Sequence, residues 1–187
     1  MSIRGLTPSV VLINPKFPHN LAATLRAASC WGARQVWYTG TRLQRKMDSL
    51  SRIPREERMR GYRHVEVVPD QRPFDHFRNA VPVAVEVREN SECLTFFEHP
   101  EDAIYVFGPE DGSIPKPILH CCHRFVFIPT HHCLNLSQSV NLVLGHRRLY
   151  AQWTGREQVP LLGDVLREER GLPRTPSVID VVGWDGM

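Results

Sequence analysis

The sequence predicts an α/β fold in which a parallel sheet is flanked by helices. Two patterns carry that expectation. Short apolar runs rich in β-branched residues recur along the chain, and segments with apolar residues at helical spacing separate them. Strands that alternate with helices pair in parallel and are covered on both faces. At 187 residues the chain fits a single domain of this kind.

The elements follow in order. Val10-Val11-Leu12-Ile13 is a buried strand that breaks at Asn14-Pro15. Asn20 then caps a helix over residues 20–31, with Leu21, Leu25 and Ala28 on one face and Gly32 as its stop. Residues 35–38 form a second strand, and the arginine-rich stretch behind it reads as a loop holding a short helix interrupted by Pro54. A third strand covers 65–68, a short helix 74–79, a fourth strand 82–87 and a fifth 103–107. A short helix over 115–122 opens on a proline, and 124–128 is a sixth strand. Asn135 or Ser137 caps the last long helix, which runs to Trp153 with Val140, Leu144 and Leu149 among its apolar positions. Beyond Gly155 the pattern weakens; residues 161–170 read as a further helix and 171–187 as a tail.

Composition narrows the class. Apolar residues at 42% and charged residues at 23% are ordinary for a globular protein. No apolar run reaches the roughly 18 residues needed to cross a bilayer, and the N-terminus has no long apolar leader, so a cytoplasmic protein without membrane contact is expected. The net charge is only +3, yet Arg42, Arg45, Lys46, Arg52, Arg55, Arg58, Arg60 and Arg63 fall within 22 residues that hold three acids. That run reads either as a solvated face or as a contact for RNA phosphates, onto which arginine forks well. Five cysteines without a secretion signal predict free thiols. Cys121-Cys122-His123 and His131-His132-Cys133 mirror each other like metal ligands. Eight extended residues would hold His123 and His131 about 26 Å apart, so no metal is expected.

Ligands of open parallel sheets gather where strands end. The chain breaks after Val87, Phe107 and Ile128 all lie at such ends and predict one pocket built from three loops. Phe107-Gly108-Pro109-Glu110-Asp111-Gly112 is the most informative of them, an apolar run opening into a glycine-flanked acidic turn. No G-x-G-x-x-G follows the first strand and no G-x-x-x-x-G-K-[ST] occurs, so neither a dinucleotide nor a P-loop nucleotide site is supported.

Three segments in the right order resemble the motifs of the SpoU (TrmH-like) branch of the SPOUT RNA methyltransferases. Asn14-Pro15-Lys16-Phe17-Pro18-His19-Asn20 through Arg26-Ala27-Ala28 resembles the first, with Asn20 and Arg26 at the family spacing. Phe107 to Gly112, continued by Phe127-Ile128-Pro129, resembles the second, and Leu134-Asn135-Leu136-Ser137-Gln138-Ser139 the third. The match covers about residues 9–150. Ala22 stands where the family usually has glycine, and Cys133 where it usually has serine.

The resemblance implies a C-terminal deep trefoil knot, a methyltransferase domain over residues 1–155 and a C-terminal extension over 156–187. It implies S-adenosyl-L-methionine held bent in the knot, near Val85, Gly108, Ile128, Cys133 and Leu134. It implies catalytic positions at Asn20, Arg26, Glu110 and Asn135, a homodimer that completes the site across its interface, and methyl transfer to a ribose 2′-hydroxyl of tRNA or rRNA. Arg26 would be the base that takes the hydroxyl proton, or a clamp on the neighbouring phosphate. The alternatives are a base-methylating SPOUT enzyme and a non-catalytic RNA-binding protein with the same fold.

Overall fold

The computed structural model describes residues 7–47 and 65–160. Its elements are β1 (Ser9–Leu12), α1 (Pro18–Trp31), β2 (Gln35–Tyr38), α2 (Arg42–Met47), β3 (Glu66–Pro69), β4 (Val81–Val85), β5 (Glu92–Cys93), β6 (Ala103–Phe107), α3 (Lys116–Leu119), β7 (Arg124–Phe127) and α4 (Leu136–Trp153), with 3₁₀ turns at Pro73–His76 and Leu94–Phe96. The seven strands form one sheet in the order β3-β2-β1-β6-β4-β7-β5, and every pairing is parallel. The α/β class with a flanked parallel sheet is therefore the one expected.

Strand alternation splits the core into two layers. Val10, Leu12, Val36, Tyr38, Tyr105 and Phe107 face α1 and α4, meeting Leu21, Leu25, Val140 and Leu144. Val11, Ile13, Trp37, Ile104 and Val106 face the other way, toward Phe77, Ile114, Ile118 and Leu119. Central strands buried on both sides favour apolar residues at nearly every position, which is why β6 and, past the buried Ser9, β1 read as apolar runs. Register brings Leu12 opposite Phe107, Phe107 opposite Val85, and Val85 opposite Val126. The ends of β1, β6, β4 and β7 thus stand side by side, and their loops leave from one edge of the molecule.

Two loops at that edge interlock. Asn14 adopts a left-handed backbone (φ 45°) and donates its N–H to Thr39 Oγ1 at 3.1 Å. Gly40 (φ 76°) lies so close that a Cβ there would run into the Asn14 side chain. Gly32 ends α1 at φ 80°, as its position after the last apolar turn predicts.

The structure corrects some boundaries. α1 starts two residues earlier than expected, with Phe17 in the N-cap place and Pro18 at the first helical position, so Asn20 lies inside the helix and caps nothing. Of the two candidates for the last helix, Asn135 is the cap: its Oδ1 accepts the N–H of Ser137 at 2.9 Å. β4 ends at Val85, leaving Val87 exposed beyond it. β5, two residues long, was outside the expectation, and the helices expected over 74–79 and 115–122 are the shorter 3₁₀ turn and α3.

The chain divides into two units, Met1–Tyr150 and Ala151–Met187. In the second, the described residues carry the end of α4 and a turn at Gly155 (φ 73°). The arginine-rich stretch past Met47, the helix expected over 161–170 and the tail over 171–187 lie outside the described residues. Among the described residues no helix is long and apolar enough to cross a membrane.

Candidate active site

The loops behind β4, β6 and β7 enclose a cavity of about 220 Å³. All five positions expected to meet a cofactor line it: Val85, Gly108, Ile128, Cys133 and Leu134. Gly108 packs closely in the turn: a Cβ there would lie 3.3 Å from both the backbone nitrogen and the side chain of Ile114, tighter than an ordinary contact. The same nitrogen donates to Glu86 Oε2 at 3.0 Å, so the carboxylate behind β4 holds the 108–114 turn in place. Sequence reasoning missed Glu86. Its signal was a lone acid directly after the apolar strand Val81–Val85.

Among the described lining residues the ionisable ones are two acids, Glu86 and Glu110, and the cysteine Cys133, with no lysine, arginine or histidine. The rest is mostly apolar, notably Val85, Ile128 and Leu136, with the neutral hydroxyl residues Thr130 and Ser139. That lining suits a ligand with an apolar body and a positive centre and is unsuited to polyphosphates. S-adenosylmethionine, with its flat adenine and its sulfonium, fits those demands.

Beside the cavity, three of the four expected catalytic residues are joined by hydrogen bonds. Glu110 accepts the backbone N–H of Lys16 at 2.8 Å and of Phe17 at 3.3 Å, and the side-chain amide of Asn20 at 2.6 Å. Asn20, only 1% exposed, accepts in turn from Asn135 Nδ2 at 3.0 Å. Asn135 Oδ1 then takes the N–H and the hydroxyl of Ser137 at the start of α4. One chain of bonds thus links the loop before α1, the turn after β6 and the N-terminus of α4. Its polarity is fixed, because backbone donors stand at both ends and only an acceptor-only carboxylate can close it.

Arg26 is not part of this chain. It is exposed on α1, and it does not line the cavity. Six residues after Asn20 at 100° each place it about 120° around the helix and about 9 Å along it. His19, the neighbour of Asn20, is exposed and stacks on Phe17 with centroids 5.2 Å apart.

The turn after Glu110 gathers charge of the other sign. Asp111 pairs with the Arg42 guanidinium through two bonds of 2.9 and 2.8 Å and with Lys16 Nζ at 3.3 Å. Arg42 first, then Lys16, hold its carboxyl down at about 2. A basic rim from the Lys16 loop and α2 therefore borders the acidic cavity. The cysteine–histidine segments form no comparable centre: among the described residues no group of three or more His, Cys, Asp or Glu side chains stands together as metal ligands. Burial, then Cys121, push the Cys122 thiol up to about 12, away from ready thiolate formation.

Comparison with known proteins follows the same lines. The model of the SpoU rRNA methylase family matches residues 7–145, well over half of the chain. In structure the chain is similar to the A. aeolicus TrmH/SpoU tRNA modifying enzyme, with a TM-score of 0.67 at 15% identity over 90% of this chain and 91% of that one. It is similar to a protein whose structure concerns 2-OH methylation of C/U34 on tRNA, with a TM-score of 0.61 at 24% identity over 79% of this chain and 97% of that one. The SpoU methyltransferase AviRb from Streptomyces viridochromogenes, in complex with AdoMet, gives a TM-score of 0.61 at 17% identity; the match covers 79% of this chain and only 59% of that one. At these identities the structural likeness is one of fold. No curated protein sequence matches at a significant level.

Proposed function

This chain belongs to the SpoU rRNA methylase family, and we propose that it transfers the methyl group of S-adenosylmethionine to a ribose 2′-hydroxyl of tRNA or rRNA. The observation that carries the reading is the bonded chain Glu110–Asn20–Asn135, which joins the three motif segments beside a cavity lined by every expected cofactor position. A generic α/β domain ends its strands in loops; it has no reason to tie three of them together through two amides and a carboxylate.

When bound, the cofactor supplies a methyl group already activated on its sulfonium. The protein's task is then to deliver the hydroxyl oxygen in line and to take its proton. Asn20 and Asn135 hold the loop edges around the reacting atoms, with Glu110 fixing Asn20 and Asn20 fixing Asn135. Arg26 belongs to the partner protomer's site in this reading, because its own helix turns it away from the bonded chain. There it faces the ribose hydroxyl as base or grips the adjoining phosphate. The partner is a second copy of the chain. Leu142 and Leu149, seven residues apart on one face of α4, are 42% and 60% exposed and form an apolar stripe suited to such contact. The basic rim of Lys16, Arg42 and Lys46 is where phosphates of the RNA would lie.

The test is methyl transfer from labelled cofactor to unmodified tRNA and rRNA, followed by digestion and mass spectrometry of the nucleosides. Label on ribose supports the reading, and label on a base replaces it with base methylation. No cofactor binding by calorimetry at millimolar concentration overturns it.

A further inference from the structure

The entry to α1, from Phe17 at its N-cap to His19 in its first turn, carries an aromatic pair that the bonded chain does not use. The Phe17 ring is half-buried and the His19 ring exposed, and the two stack with centroids 5.2 Å apart and planes 21° from parallel. Two ammonium groups flank Phe17, Lys46 Nζ at 4.5 Å and Lys16 Nζ at 5.3 Å from its centroid. The arrangement is built from three pieces of chain. Glu110 holds the backbone of Lys16 and Phe17, and Asp111 ties Lys16 to Arg42, which brings α2 and its Lys46 to the same turn.

We propose that Phe17 and His19 are a stacking platform for an unpaired RNA base next to the methylated nucleotide, with Lys16 and Lys46 on the phosphates that flank it. The idea rests on the proposed RNA substrate. Single-stranded nucleic acid is recognised by stacking on aromatic and imidazole rings beside cations. A protein partner would instead call for apolar surface. Among the described residues, the large exposed hydrophobics, including Val87, Phe96 and Leu149, come from other parts of the chain. Position also favours RNA, since the Phe17 N–H and the Asn20 side chain bond to the same oxygen of Glu110. A base on the platform would therefore lie within one nucleotide or so of a ribose presented beside the Glu110–Asn20–Asn135 bonds.

The experiment measures binding of an in vitro transcribed, unmodified tRNA pool by fluorescence anisotropy across a salt series. His19→Ala and Phe17→Leu should each weaken binding roughly tenfold while the slope of log affinity against log salt stays as in the parent. Lys46→Gln should lower that slope by roughly 0.7 to 0.9. Calorimetry with S-adenosylmethionine should give the parental affinity for all three variants, which shows that the cavity is intact. The platform is overturned if both ring variants bind the pool as the parent does. It is equally overturned if the ring variants change the salt slope as a lysine loss would. Methyl transfer by the parent protein to the same pool and to unmodified rRNA reports on the proposed function separately, and its absence from both would sink that reading whatever the variants do.

Discussion

Replacing Glu110 by glutamine tests the bonded chain most directly. The two side chains share a shape, but the carboxylate accepts on both oxygens and the amide on one. Three donors converge on Glu110: the Lys16 and Phe17 N–H groups and the Asn20 amide. If glutamine turns its oxygen to Phe17 and Asn20, its NH₂ meets the Lys16 N–H, donor against donor. If it turns the other way, its NH₂ meets the Asn20 amide. Asn20 cannot flip to accept, because its oxygen already serves Asn135, and Asn135 cannot flip because its oxygen serves the Ser137 N–H. One donor is left unsatisfied in a half-buried place, at a cost of about 1–3 kcal/mol, and the charge assistance of the other bonds is lost. A total of about 2–4 kcal/mol corresponds, for a chain of this size, to a fall in Tm of about 5–15 °C. Thermal and urea denaturation of Glu110→Gln, Asn20→Ala and the double variant would measure it. The double variant should be less destabilised than the sum of the singles by about 1 kcal/mol, since removing Asn20 removes part of the conflict. A Glu110→Gln protein that melts within 2 °C of the parent, about 1 kcal/mol or less, would refute the assignment, as would additive losses.

Three further outcomes follow from other parts of the molecule. Arg26→Lys should retain folding and cofactor affinity but lose roughly 10²- to 10⁴-fold in single-turnover methyl transfer if the planar fork serves as base, and much less if it only grips phosphate. Glu86→Gln should weaken S-adenosylmethionine roughly tenfold more than the uncharged product S-adenosylhomocysteine, as expected when a carboxylate near a positive centre is removed; equal weakening in calorimetry would make Glu86 a purely structural brace. Acidification should destabilise the packing of α4 on β6. His99 bonds to the Tyr105 hydroxyl at 2.6 Å and to His146 Nδ1 at 2.8 Å, and burial, opposed by a bond to the Thr95 backbone, lowers the pKa of His146. The unfolded chain then binds the proton more readily, so this contribution is complete above about pH 6.5 and is lost as pH falls through the depressed value. Tm should therefore drop between pH 7 and 5 in the parent and less so in His146→Gln.

What was legible in the sequence follows the physics of burial. β1, β2 and β6 are covered on both faces, so their apolar runs stood out, and the boundaries of β2 and β6 were read to the residue. β3 at the edge is half-exposed and was read one residue early, and the two residues of β5 offer no period at all. The cavity positions were legible only through the resemblance, since an apolar strand end looks alike whether or not it meets a ligand. Asn20 was misread as a cap because local reasoning sees only near partners, and its true partner Glu110 lies 90 residues away. Glu86 and the His99–His146 pair went unnoticed for the same reason: their bonds span 28 and 47 residues.

The order of the sheet lays the site out along a line. β1, β6, β4 and β7 are neighbours, about 4.8 Å from one to the next, so their loops span roughly 14 Å. The basic rim and the stacked rings stand at the β1 end with α2, and the acidic cavity stands between β6 and β7. In the proposed function, reading the RNA and holding the methyl donor fall to opposite ends of one ruler, with Glu110 at its middle. Elements attached beyond β1 could be exchanged to address a different nucleotide while the donor end stays as it is. Grafting residues 14–19 and α2 between relatives should then move target choice and leave cofactor affinity behind.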